Sequence, residues 1–337
     1  MRKQFHILLF ILLGCHTQLS AQDIHFSQFN RSYLNLNPAL NGDYNNDYRF
    51  NGNFRNQWSS VSQPFQTFSI SAEAKNPFIS LKGLHFGLIL YNDEAGLGGL
   101  QTTQANLNLA YSTGLNYDST LVFAFGLQSG LTSRSINFNA FSFDSQFDGI
   151  QFDPTLANGE NFDQSSYSHF NLHSGIALRY LLEERKLFKV GASFYNLTSP
   201  NQSFQGTNVF LDLRTNIYIE ADYYLSRKMD IMPALLVSRQ GEFRESLFGA
   251  NLRYRFNDNP FLKRNLYAGV WYRNQDAIIA SLGMDYNQWQ VGLSYDINTS
   301  SLEVASNNRG GLEISLTYQF STFKPNIRNY KQCPTFL

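Results

Sequence analysis

The chain has 337 residues, of which 43% are hydrophobic, 15% aromatic and only 15% charged, against about 25% charged in a typical soluble protein. A soluble chain this poor in charge should carry long apolar runs for its core, yet past residue 21 the apolar residues are dispersed among Asn, Ser, Gln and Thr. The 26 basic residues balance the 26 acidic ones, so charge gives no reason to expect a nucleic-acid partner.

The first predicted element is an N-terminal signal peptide over residues 1–21. Arg2 and Lys3 precede the apolar stretch Ile7–Leu13, and cleavage after Ala21 would leave Gln22 as the first mature residue. The stretch falls far short of the roughly 20 residues a membrane-spanning helix needs. Leu12-Leu13-Gly14-Cys15 offers a competing lipoprotein-type site with Cys15 as the lipidated residue. With cleavage at Ala21 a single cysteine, Cys333, remains, which excludes an intramolecular disulfide. Residues 22–46, polar and aromatic, precede the first strand; they are expected to plug a lumen from the periplasmic side or to dock a periplasmic partner.

From residue 47 to 320 the sequence reads as strands: 47–58, 65–75, 83–92, 101–112, 121–133, 167–180, 187–197, 210–225, 229–238, 246–256, 265–274, 277–286, 289–297 and 311–320. In the first window Tyr48, Phe50, Phe54 and Trp58 share one side, while Arg49, Asn51, Asn53, Arg55 and Gln57 share the other. Only a period of two separates the sets. A one-residue slip would turn Arg49 and Arg55 toward lipid, at about 2–4 kcal/mol each near the bilayer midplane. Over 210–225, Leu211, Leu213, Thr215, Ile217 and Ile219 oppose Asp212, Arg214, Asn216, Tyr218 and Glu220. The last window sets Leu312, Ile314 and Leu316 against Glu313, Ser315 and Thr317, and ends on Phe320.

These windows predict an all-β, transmembrane, antiparallel β-barrel of about 14 strands, an even number as single-chain bacterial barrels require. In hydrocarbon an open strand edge leaves backbone groups unsatisfied at several kcal/mol each, so the first and last strands must pair. Links such as Asn287-Gln288 and Ser226–Lys228 fall on one side, and the long ones Ser135–Ser166, Thr198–Val209 and Asn298–Gly310 on the other. That is the asymmetry of short periplasmic turns and long outward loops. A secreted β-sandwich or β-solenoid is the competing reading, and needs fewer outward apolar residues. Residues 321–337 are expected to form a periplasmic tail that either docks a partner or extends the last strand.

The outward loop 135–166 carries Phe138, Phe141, Phe143, Phe147, Phe152 and Phe162 beside Asp144, Asp148, Asp153, Glu160 and Asp163. A plain solvated loop would not normally hold so many aromatics; they either pack as a lid on the barrel mouth or present an apolar surface to a protein partner. His169 and His173, on one strand, sit about 13 Å apart by strand rise and cannot share a zinc; solvated lumen positions are expected for them. His25 and His85 have no ligand cluster either, Ser166, Asp163 and His169 are poor evidence for a hydrolytic triad, and no Gly-rich phosphate loop is present. Neither catalysis, a metal nor a cofactor is therefore expected. Arg49, Arg55, Arg214 and Glu220 are expected to pair across the interior or to line a wet lumen.

Particular residues carry a resemblance. Gln22-Asp23-Ile24-His25-Phe26-Ser27-Gln28-Phe29, Leu36-Asn37-Pro38-Ala39-Leu40-Asn41-Gly42, Arg55-Asn56-Gln57-Trp58, Val190–Leu197, Gly269-Val270-Trp271-Tyr272-Arg273, Gly292–Asp296 and the tail Cys333-Pro334-Thr335-Phe336 occur in that order. In this the chain resembles the PorP/SprF family of type IX secretion system membrane proteins, over essentially its whole mature length. Thr335 stands where that family's tail commonly carries Arg, and Leu337 follows the Phe. The resemblance implies an outer-membrane barrel of Bacteroidetes-type bacteria that assists secretion or surface retention of a large adhesin-like protein, including in gliding, and is not an enzyme. Its expected partners are outer-membrane lipid, the secreted surface protein, the type IX machinery and periplasmic envelope proteins. The alternative is a passive or hydrophobic-substrate transport barrel.

Overall fold

The computed structural model describes residues 25–57, 63–78, 81–153, 155–157, 159, 164–204, 208–257, 263–300 and 309–322. Cys15, the cleavage site at Ala21 and Gln22, Trp58, Phe162 and the tail beyond Thr322, with Cys333, lie outside the described residues. Fourteen antiparallel strands follow one another: β1 Tyr48–Gln57, β2 Phe65–Lys75, β3 Leu84–Ala95, β4 Leu100–Gly114, β5 Leu121–Ser135, β6 Ser166–Glu183, β7 Lys186–Tyr195, β8 Arg214–Ser226, β9 Met229–Gln240, β10 Phe243–Arg255, β11 Arg264–Arg273, β12 Ala277–Tyr286, β13 Trp289–Asn298 and β14 Arg309–Phe320. Each pairs with its sequence neighbours, and β1 pairs with β14 from Tyr48↔Phe320 to Gln57↔Gly311, so the sheet closes.

The alternation sorts side chains as the sequence requires. Phe50, Ile217, Phe248, Leu252, Ile314 and Leu316 lie exposed on the outside, while Arg49, Asn51, Asn53, Arg55, Asn216, Glu313 and Thr317 are buried within. An exposed apolar belt around a polar interior inverts the soluble arrangement; it is the surface of a barrel solvated by lipid. At the closure, Tyr48 and Phe320 stack with centroids 5.1 Å apart and Trp289 packs on Tyr318 at 4.5 Å, which puts aromatic rings at one edge of the belt.

Short links gather at the end where β1 begins, the turn end: Glu184-Arg185, Arg227-Lys228 and Asn287-Gln288. Arg185 and Asn287 take φ of 70° and 56° there, as two-residue hairpins with right-handed twist demand. The longest described loops, 136–165 and 196–213, lie at the opposite, loop end. Several strand boundaries differ from the sequence reading. Strand β8 starts at Arg214 rather than at residue 210, because the Leu211 N–H donates to the Pro200 carbonyl and Phe210 bridges Asn201; the alternating residues Leu211 and Leu213 belong to a loop. Strands β5 and β6 run further toward the loop end, to a Ser135↔Ser166 pair. Above the lipid belt their faces turn polar, so the alternation that marks a strand fades while the ladder continues.

Residues 25–46 run inside the barrel as 3-10 turns Phe29–Arg31 and Pro38–Leu40 around α1, Tyr33–Leu36. A small dry core joins Phe29, Leu36 and Leu40 to Tyr218, Leu236, Leu247, Trp271 and Ile279 of the wall. The Phe29 ring meets the Trp271 ring edge-on at 5.6 Å. On the opposite wall Gly126 and Gly175 leave room for the segment: a Cβ at Gly126 would sit 2.3 Å from the Pro38 carbonyl carbon, and one at Gly175 2.0 Å from Asn37 Oδ1.

Candidate functional site

The internal segment is bonded to the wall along its length. At the loop end, the backbone N–H groups of Ser27 and Gln28 donate to the Glu313 carboxylate at 2.7 and 2.9 Å. The Ser27 hydroxyl donates to Asp296 at 2.9 Å and accepts from Arg55 and Arg273, each at 2.6 Å. Arg55 and Arg273 also reach Asp296, at 3.0 and 3.1 Å. Two guanidiniums and two carboxylates thus close around one serine, all nearly excluded from water. Such a cluster is tolerable because its opposite charges offset one another, although Arg55 Nε and Arg273 Nε make no hydrogen bond.

Midway, Asn37 is fully buried. Its amide donates to the carbonyls of Ile176 and Ala192 at 2.9 and 3.2 Å, and its Oδ1 accepts from the Ala39 N–H at 2.8 Å, capping the 3-10 turn. Ser193 and Tyr195 donate to the carbonyls of Leu36 and Leu34, and Asn41 donates to Asn108 at 2.7 Å. Gly42 has φ of 87°, and a Cβ there would lie 2.5 Å from the His85 ring. The stretch Leu36–Gly42, one of those that carry the resemblance, therefore also locks into the wall.

At the turn end, Arg49 pairs with Glu73 at 2.6 Å, donates to the Leu40 carbonyl at 3.1 Å and lies over the rings of Tyr33 and Tyr44. Lys189 reaches Asp43 at 2.5 Å, with Arg179 3.8 Å from the same carboxylate. Burial would raise the Asp43 carboxyl, but the Lys189 ammonium and then the Arg179 guanidinium outweigh it and hold the group below its ordinary range. Two cavities of about 160 Å³ each flank the segment here, one lined by Lys75, Val122, Ala124, Arg179 and Lys189, the other by Leu187, Glu220, Asp222 and Met232.

His173 is not the solvated lumen residue that the sequence reading expected. His173 is buried, accepting from the Asn196 N–H at 2.9 Å with Nε2 3.0 Å from the Gln104 side-chain amide. His85 is buried too, Nε2 lying 2.8 Å from Ser112 Oγ, and His169 is half-buried against Tyr167. The physical reason is the internal segment and the neighbouring lumen side chains, which take the space that water would fill. Ser166 and His169 project to opposite faces of β6, and Asp163 lies outside the described residues. Among the described residues no cluster of His, Cys, Asp and Glu could hold a metal.

In the loop 136–165 the aromatics divide. Phe138 meets Phe204 edge-on at 6.1 Å, and Phe204 packs on Tyr167 at 4.9 Å. Phe141 lies against Gly98 of the neighbouring loop and 6.5 Å from Phe143. Phe138, Phe141 and Phe143 are each half-buried. Phe147 and Phe152 instead bridge each other around a turn in which Asp148 accepts from the N–H groups of Ile150 and Gln151 at 2.8 and 2.7 Å. Those bonds hold the Asp148 carboxyl below its ordinary range. The hairpin exposes Phe147 by 55%, Ile150 by 89% and Phe152 by 45%, with Asp144, Asp148 and Asp153 beside them.

Sequence reasoning paired Arg49 and Arg55 with nothing in particular and missed their partners. It also missed Asp230, which takes Arg185, Arg253 and Arg255 at 2.5, 2.8 and 2.7 Å near the turn end. Arg214, expected to pair or to line a wet lumen, lies over the Tyr195 ring at 4.4 Å.

The sequence pattern of the family described as "Type IX secretion system membrane protein PorP/SprF" matches residues 18–318. No curated protein sequence matches the chain. Among solved structures, the Ralstonia pickettii toluene transporter TbuX is similar with a TM-score of 0.52 at 11% identity, over 86% of this chain and 94% of that one. The Pseudomonas putida toluene transporter TodX gives 0.50 at 11% identity, over 86% and 92%. At such identity the likeness is one of fold: an outer-membrane barrel.

Proposed function

Since the chain belongs to the PorP/SprF family and is an outer-membrane component of type IX secretion, we propose that it acts as a plugged, non-enzymatic accessory barrel that assists secretion or surface retention of a large adhesin-like protein. The loop end faces outward in this reading, and the turn end meets periplasmic envelope partners and the secretion machinery. The observation that carries it is the exposed hairpin Phe147–Phe152, apolar at its tip and acidic at its flanks, set on a loop whose base is pinned by Phe138 and Phe141. Rigid presentation of exposed aromatics is what a protein-binding patch requires. The bonded internal segment supports a barrel that holds its cargo outside rather than conducting it through the lumen. Deleting the gene and comparing surface proteomes tests this: one or a few large surface proteins should disappear, and an unchanged surface proteome would overturn it.

A second reading, passage of a hydrophobic solute, draws on the likeness to barrels named as toluene transporters and on the partly apolar cavity at Val122 and Ala124. Altered uptake of a small hydrophobic solute in the deletion strain, with secretion intact, would favour it.

A further inference from the structure

The lipid-facing surface carries one arrangement that the secretion role does not use. Arg239 and Arg244 stand directly opposite each other in the β9–β10 ladder, joined by the two-residue turn Gly241-Glu242 at the loop end. Both are exposed on the outer face, in line with Leu235, Val237 and Phe248 below them, while Leu236, Leu247 and Glu245 point inward and are buried. Like charges facing across a ladder repel. Neither guanidinium makes an ion pair with any described residue, the nearby Glu242 included; the Arg239 Nε–H reaches only the Gly241 carbonyl, at 3.4 Å.

Height selects the ligand. With a rise of about 3.3 Å per residue and a strand tilt of about 40°, Arg239 stands about 25 Å above Met229 along the barrel axis, the full depth of an outer-membrane apolar band. An arginine costs about 2–4 kcal/mol at the midplane but only about 0–1 near the interface. The pair is therefore set at headgroup level, with exposed Ile217, Leu235, Val237 and Phe248 directly beneath it to receive acyl chains. Two adjacent guanidinium forks above an apolar strip match a phosphate carried on an acylated headgroup, which would remove the repulsion through charge-assisted bonds to both residues. We propose that Arg239 and Arg244 form a binding site for the phosphate of an outer-leaflet phosphoglycolipid, seated on the β8–β10 face of the barrel.

The full-length protein in detergent micelles is titrated with diphosphoryl lipid A and followed by native mass spectrometry. Parallel titrations use dephosphorylated lipid A, phosphatidylglycerol and inorganic phosphate. The wild type should retain diphosphoryl lipid A in preference to all three, and Arg239→Gln/Arg244→Gln should weaken that binding by roughly tenfold or more, as loss of charge-assisted bonds implies. Arg264→Gln, on the outer face at the turn end, should bind like wild type, and heat-modifiable gel mobility of each variant reports that its barrel is closed. Undiminished binding by the closed double variant would overturn the proposal. So would equal retention of the dephosphorylated lipid or of phosphatidylglycerol, or binding of inorganic phosphate alone.

Discussion

Asn37 and Arg49 show how single residues join the internal segment to the wall. Asn37 supplies two donors to wall carbonyls and one acceptor to its own turn. Asn37→Leu, close in volume, would leave those groups unmatched; we expect a loss of about 2 kcal/mol or more, read as a lower urea midpoint for the barrel in micelles. Removing the Glu73 charge by Glu73→Gln strands the buried Arg49 guanidinium and should cost about 3–5 kcal/mol by the same measurement. Asp43 gives a pH prediction. Its carboxyl titrates below its ordinary range in the fold, so the unfolded chain binds the proton more tightly. Its contribution is complete above the ordinary carboxylate pKa and is lost as pH falls through the folded value. Amide exchange around residues 40–44 should accelerate through that acidic window, and Asp43→Asn should remove this dependence. These partnerships were not legible in the sequence: Arg55 and Asp296 are 241 positions apart, and period-two alternation tells which face a charge occupies but not what stands across the lumen.

At the scale of elements, alternation placed all fourteen strands because lipid and lumen demand opposite side chains at every step. It failed where that demand ends. Leu211 and Leu213 alternate within a loop, and the upper parts of β5 and β6 lack contrast because both faces are polar there. The loop phenylalanines were visible as an anomaly, but neither spacing nor composition could divide them into rings packed on Gly98 and Phe204 and rings exposed on the hairpin. The proposed role of that hairpin yields a prediction. Phe147→Ser/Ile150→Ser/Phe152→Ser should leave the barrel folded, since all three side chains are exposed, yet should deplete the same surface proteins as gene deletion; a surface proteome like wild type would remove the hairpin from the mechanism.

For the molecule as a whole, the internal segment matters most. The sequence reading left two roles for residues 22–46, a plug in the lumen from the periplasmic side or a dock for a periplasmic partner; residues 25–46 span the interior, from Ser27 beside Asp296 near the loop end to Asp43 beside Lys189 near the turn end. A barrel of this strand number has more interior than wall side chains readily fill, and here the chain's own N-terminal stretch supplies the missing side chains. Planar-bilayer recording of the purified full-length protein tests this account most directly. The predicted result is a silent barrel at moderate voltage, with steady current appearing only in a variant lacking residues 25–46. A sustained conductance from the intact chain would contradict it.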